Sequence, residues 1–333
     1  MKKLGRGRKV MRSHCSSKKA SPTSVLLGCL GALAKLSWGI AQFTVGIAAF
    51  ISPAFAQSNI VPDNTLGSEA SGVIFNFQGT PNDLIIGGAQ RGQNLFHSFR
   101  ELNVGENRGA YFLVFDPNIQ NILARVTGSN RSNIFGTLGT RQVIDGNLFR
   151  SNANLFVMNP NGIVFGENAR LDVGASFVAT TANGIQFGDR GSFNTSGDQP
   201  SQVLTINPSA FLFNQIANQS INSIESRGFL SVPESKSLLF VGGNISPNSV
   251  QTGGILLSEG RLRAGGGQIE LGGLGSTGTV VLNFSNTGLS LNFPSDVPRI
   301  DVDLKNLAEV DVTSGGGGSI AINARNINIL EDV

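Results

Sequence analysis

The sequence predicts an all-β protein whose later half winds into stacked coils, and three observations predict it. Short apolar–polar alternations recur along the chain, each bounded by Gly, Asn, Asp or Pro. Helical periodicity never persists for about a dozen residues, a short piece near 209–216 being the one candidate helix. A Gly-Gly-x-Ile element occurs three times, and its isoleucines Ile245, Ile269 and Ile320 are spaced 24 and 51 residues from the first to the second and from the second to the third. Self-similarity on a scale of about 25 residues marks stacked units, each able to bury its apolar side only against its neighbours. About a dozen such rungs at ~4.7 Å spacing would extend roughly 55 Å. A sandwich or barrel of antiparallel hairpins is the alternative, with Asp145-Gly146 and Asn161-Gly162 as its turns.

Residues 1–56 differ in kind from the rest. Lys2, Lys3, Arg6, Arg8, Lys9, Arg12, Lys18 and Lys19 precede two apolar stretches, 24–34 and 36–51, and the segment ends on Ala54-Phe55-Ala56. This is the pattern of a secretory signal with a long basic head, cleaved between Ala56 and Gln57. A membrane anchor is the competing reading. Lys35 opposes it, because neither flanking stretch reaches the ~20 apolar residues a span needs. No stable membrane span is therefore expected after cleavage.

Removing the leader changes the composition. It holds nine of the 25 Lys and Arg residues and none of the 22 acids, so the remaining 277 residues carry 16 basic and 22 acidic groups, a net charge of −6. The alkaline isoelectric point belongs to the leader, and no nucleic-acid partner is expected. Cys15 and Cys29 also lie in the leader, so the exported part holds no disulfide and depends on packing. Nineteen of the 22 phenylalanines remain, enough for a folded interior.

Predicted strands follow in order: 72–77, 94–104, 110–115, 119–126, 155–158, 163–165, 171–173 and 176–180. Phenylalanines in "VIFNFQG" and "FLFNQ" alternate with polar residues as core side chains do. Between two strands stands Asn159-Pro160-Asn161-Gly162. Proline presets φ for the second position of a turn, and Asn then Gly suit a type I corner. Asn159 can bond its own backbone as an Asx-turn, and an inward asparagine can ladder onto the rung above.

Chemistry-bearing constellations are absent from the sequence. "GLGSTG" at 273–278 is followed by the strand-like "TVVLNF", whereas a dinucleotide site needs a helix there. His97 has no second histidine or cysteine nearby in the exported part to make a zinc site or a Cys–His pair, which leaves it a structural role. Asp301 and Asp303 share one side of a strand, as on a solvated face or a weak calcium site. No enzyme, cofactor or metal is expected, and scattered acids argue against a polysaccharide-acting β-helix.

"GQNLFHSFRELNVG" (92–105), "NIQNILARVTG" (118–128), "NANLFVMNPNGIVFGENARLDVGASFVATTAN" (152–183) and "GGQIELG" (266–272) occur in this order. Together they resemble the haemagglutination-activity, or two-partner-secretion, domain at the front of filamentous-haemagglutinin-like exoproteins. The resemblance covers 57–290 and implies a right-handed single-stranded parallel β-helix with extra capping strands. It also implies recognition by an outer-membrane β-barrel transporter with periplasmic POTRA domains, passage through the periplasm unfolded, and a secreted or cell-surface destination. Carried over, the family's secretion motif falls on Asn159, Pro160, Asn161 and Gly162. A second motif has only an inexact counterpart in Asp116, Pro117, Asn118 and Ile119. β-Augmentation is a physical route by which an extended segment engages the transporter.

Residues 291–333 read as the start of a β-helical repeat region that breaks off within a strand pattern. The implied role is adhesion or haemagglutination toward a host or neighbouring-cell ligand that the sequence does not name. Delivery of a contact-dependent toxin is the alternative.

Overall fold

The computed structural model describes residues 57–214, 223–243, 254–286 and 288–331. The leader, with Ala56 of its cleavage site, lies outside the described residues. Seven parallel strands stack to form the main face of a coil: Asn94–Asn103, Asn121–Val126, Asn154–Met158, Phe177–Thr180, Ser237–Gly243, Gln268–Leu274 and Ser319–Asn323. A second face stacks Ser132–Ile134, Ile163–Phe165, Ile224–Ser226, Gly254–Ser258, Asp301–Lys305 and Ile327–Leu330. A third carries parallel strands from Asn82–Gly87 to Arg170–Asp172, then from Phe229–Ser231 to Glu309–Asp311. From the second rung onward the chain runs main, second, third and back to main in every turn, which makes it a single-stranded parallel β-helix.

Extra strands close the exposed sides. Asn59–Pro62 and Ser71–Ile74 pair antiparallel with Asn94–Asn103 and Asn82–Gly87, capping edges that would otherwise stay open at the front. After the fourth and sixth main-face strands the chain leaves the coil. Those excursions build an outer antiparallel sheet from Gly184–Gln186, Ser192–Asn194, Ala210–Phe213, Gly278–Ser285 and Gly288–Asn292.

The outer sheet explains the composition of the main face. Alternate side chains point to opposite sides of a strand. Leu95, Ile122, Leu155, Phe177, Leu238 and Ile269 form an inward row, in register, inside the coil. Phe96, Leu123, Phe156, Val178 and Leu239 point the other way and pack against Phe187, Phe193, Phe211 and Phe213 of the outer layer. Both sides are buried, so these strands read as unbroken apolar runs such as "NLFVM" and "SLLFV". At the sixth rung the outward row reaches Glu270, opposite Leu239. Its carboxylate accepts the Leu291 N–H at 3.0 Å and the Gln268 amide, and burial raises its pKa.

The rung period differs from the predicted one. In-register neighbours Leu155 and Phe177 lie 22 residues apart, Leu238 and Ile269 31, and Ile269 and Ile320 51. The 51-residue step is thus one rung enlarged by an excursion, where about two were expected. Gly242-Gly243 pairs with Gly273-Leu274 at the far end of its strand, so the 24-residue spacing corresponds to no rung. Asn244 and Ile245 lie outside the described residues. Among the described residues the main face has seven rungs, where about a dozen were expected, because excursions consume chain without adding height.

Other expectations also change. Ala210–Phe213, within the candidate helix, is a strand of the outer sheet, held between Gly184–Gln186 and Gly278–Ser285. "VIFNFQG" leaves its strand at Ile74, since Asn76 and Gln78 take left-handed φ near 52°, and Phe75 is 41% exposed. Asp145-Gly146, both at positive φ, does close a hairpin between Thr137–Ile144 and Asn147–Arg150. Asn161-Gly162 instead links strands on two different faces. Asp301 is 5% exposed and ion-paired to Arg325 at 2.7 Å, so it does not lie on a solvated face.

Phe156→Ala should lower unfolding free energy by about 3–5 kcal/mol, measured as a fall in urea midpoint, because it opens a cavity between coil and outer sheet. Phe115, 64% exposed, should tolerate alanine within about 0.5 kcal/mol.

Candidate functional site: the Asn-Pro-Asn-Gly corner

Residues 159–162 turn the third rung from the main to the second face, between Asn154–Met158 and Ile163–Phe165. Asn159 is fully buried and forms the Asx-turn its sequence suggests. Its Oδ1 accepts the Asn161 N–H at 2.9 Å and the Asn161 Nδ2–H at 3.0 Å, and its carbonyl accepts the Gly162 N–H at 3.1 Å. Both side-chain amides also reach the preceding rung. Asn159 Nδ2 donates to Asn130 O and Ser132 Oγ, each at 3.0 Å, and Asn161 Nδ2 donates to Gly128 O at 2.8 Å.

Backbone bonds complete the tie in both directions. Ser132 N–H donates to Gly162 O, while Asn159 N–H donates to Thr180 O and Ile163 N–H to Ser223 O, all at 3.0 Å. Gly162 adopts φ +107°, and a Cβ there would sit 3.0 Å from Ser223 O. Glycine is therefore required at this position, both for the dihedral and for the approach of the next rung. The corner acts as a staple through three successive turns of the coil.

The other tetrapeptide, 116–119, repeats this local geometry. Asp116 Oδ1 accepts the Asn118 N–H and Nδ2–H, each at 2.9 Å, and Ile119 N–H donates to Asp116 O at 3.1 Å. The backbone N–H of Asn118, followed by the Gln90 amide at 2.6 Å, holds the Asp116 carboxyl below its ordinary pKa. Pro117 and Asn118 are exposed, and Ile119 anchors the turn in the core. A carboxylate has no N–H to donate, so Asp116 cannot reach a neighbouring carbonyl as Asn159 does. One turn is wired inward, and the other is presented outward.

Two polar clusters escaped sequence reasoning. Asn94, Asn121 and Asn154 begin the first three main-face strands and form an amide ladder, Asn121 Nδ2 to Asn94 Oδ1 at 2.9 Å and Asn154 Nδ2 to Asn121 Oδ1 at 3.0 Å. Their signal was available as Asn94-Leu95-Phe96, Asn121-Ile122-Leu123 and Asn154-Leu155-Phe156, an asparagine before two apolar residues each time. The other cluster surrounds Arg125, fully buried on the second rung. Its guanidinium donates to Ser98 Oγ and Thr65 Oγ1 at 2.9 Å and to Asn194 O, and lies 4.2 Å from the Phe193 ring centroid. Burial depresses its pKa to about 10. Asp63 accepts from Ser98, Thr65 and Thr127, so the front cap, the coil and the outer sheet meet in one network.

His97 takes the structural role expected of it. Nδ1 lies 3.0 Å from Ser71 Oγ, Nε2 has no partner, and the rings of Phe99 and Phe112 pack around it. After "GLGSTG" the chain enters the strand Gly278–Ser285.

The TPS secretion domain family matches residues 58–322. The chain belongs to this family, the secretion domain of two-partner-secretion exoproteins. Among solved structures, the HMW1 secretion domain from Haemophilus influenzae is similar, with 15% identity and a TM-score of 0.45 over 83% of this chain. The chain spans 62% of that structure's length. No curated protein matches the chain at a significant level.

Burial pushes the His97 pKa down to about 3. The unfolded chain, with an ordinary value of 6.5, takes up this proton first, so stability falls as pH drops from about 6.5 toward 3. The loss should approach ~1.4 kcal/mol per pH unit within that window. Urea titrations of wild type and His97→Leu at several pH values should show the variant losing this part of the slope.

Proposed function

We propose that residues 57–290 are the address by which a partner outer-membrane β-barrel transporter with POTRA domains recognises this chain, and that the leader, cleaved between Ala56 and Gln57, first brings it to the periplasm. The chain crosses the outer membrane unfolded and winds into its coil outside, where it serves surface adhesion. Residues 291–333 begin the repeat region that extends the coil.

The observation that carries this reading is the wiring of the Asn159–Gly162 corner. It bonds to Gly128, Asn130 and Ser132 on one side and to Thr180 and Ser223 on the other. None of these bonds exists until neighbouring rungs meet, so the motif acts by closing the first coils. Closure makes re-entry into a pore unfavourable and gives outward movement a direction without a nucleotide. The exposed Pro117-Asn118 turn, with the same local geometry and an Asn118 amide that bonds only within the turn, is the surface offered to the transporter.

Secretion separates the two roles. Coexpressed with its transporter, Asn159→Ala/Asn161→Ala should accumulate less in the medium, and the purified variant should lose about 1–3 kcal/mol per buried group left unpaired. Asn118→Ala should impair secretion while leaving the urea midpoint within about 0.5 kcal/mol of wild type. Unchanged secretion of the double variant would remove the corner from the export step.

A further inference from the structure

Two asparagines in the described residues precede a glycine, Asn161 before Gly162 and Asn183 before Gly184. In such a pair no side chain hinders the glycine nitrogen as it approaches the asparagine carboxamide carbon. We propose that Asn161 is a self-modification site, deamidated through Gly162 while the chain is unfolded and protected once the corner closes.

The reaction needs only the chain and water. The Gly162 main-chain nitrogen gives up its proton and bonds to Cγ of Asn161. The Cγ–Nδ2 bond breaks, and Nδ2 departs as ammonia with that proton. The resulting five-membered imide adds water at either carbonyl and opens to aspartate or isoaspartate. No redox step is involved.

Every group this reaction requires is committed in the folded corner. The Gly162 N–H donates to Asn159 O at 3.1 Å. The departing Nδ2 donates to Gly128 O at 2.8 Å and to Asn159 Oδ1 at 3.0 Å. Gly162 is buried and Asn161 half-buried. Attack therefore waits for an unfolding event that breaks three hydrogen bonds and separates adjacent rungs.

The products in turn cannot rebuild the corner. Aspartate at 161 replaces the donor facing Gly128 O and Asn159 Oδ1 with a charged acceptor. Isoaspartate adds a methylene to the main chain before Gly162, which displaces Gly162 O from the Ser132 N–H and Ile163 N–H from Ser223 O. Closure slows modification and modification slows closure, so the corner records how long a chain stayed unfolded. The chemistry holds whatever partner the domain engages; only its timing relative to export rests on the function proposed above. Asn183 is the internal comparison. Its N–H donates to Leu212 O at 2.8 Å, where the chain passes from the main-face strand Phe177–Thr180 into the outer sheet.

The test incubates the full chain at mildly alkaline pH, folded in buffer or unfolded in concentrated urea, and follows residue 161 by peptide mass mapping with isoaspartate detection. Modification in buffer should be slower by at least about tenfold, since it must wait for opening. Gly162→Ala, compared in urea only, should suppress it by hindering the attacking nitrogen. After dilution from urea, Asn161→Asp should regain native β-structure at least about tenfold more slowly than wild type. Equal rates at residue 161 in buffer and urea would overturn the proposal. So would Asn161→Asp refolding at the wild-type rate, or no effect of Gly162→Ala in urea.

Discussion

In-register stacking of parallel strands is the constraint on which the rest depends. A single turn of this coil exposes one side to the next turn's level and cannot bury its inward residues alone. Leu155 is buried because Ile122 lies beneath it and Phe177 above, and the same holds along the row from Leu95 to Ile269. A slip of one residue would exchange this row with Phe156 and its neighbours, which face a different layer. Register therefore has to be held by something more specific than apolar contact.

Polar side chains at strand starts and corners supply that specificity. The Asn94–Asn121–Asn154 ladder fixes the start of the first three main-face strands, and the Asn159–Gly162 corner fixes where the third strand ends. Buried amides with every hydrogen bond made specify one arrangement, because a shifted rung would leave donors unpaired in a dry interior. In later rungs Arg325 pairs with the buried Asp301 of the neighbouring turn, while the Arg261–Glu309 pair between turns is solvent-exposed and adds little. Membership of the TPS secretion domain family gives this architecture its context, the secretion domain of two-partner-secretion exoproteins.

Local features of the fold were legible in the sequence. Ile163–Phe165 matched its predicted bounds, and Asn159 made the turn that Asn-Pro-Asn-Gly implies, because these depend on residues within a few positions of one another. Long-range features were not. The Gly-Gly-x-Ile spacing misled because excursions of very different length interrupt successive rungs, and nothing in residues 181–223 announces that the chain will return to the coil. Asp301 read as solvated because Arg325, its partner, belongs to the next rung. The second, outer side of the main face was hidden as well, since a strand buried on both sides has no alternation to reveal what covers it.

Amide hydrogen exchange resolved by residue tests most directly whether the corner is integral to the stack. If it is, the Ser132, Gly162 and Ile163 amides exchange only through global unfolding, at the same free energy as the Leu155 and Phe177 amides of the main face. Exchange of the three corner amides by local fraying, with the main face still protected, would contradict the account.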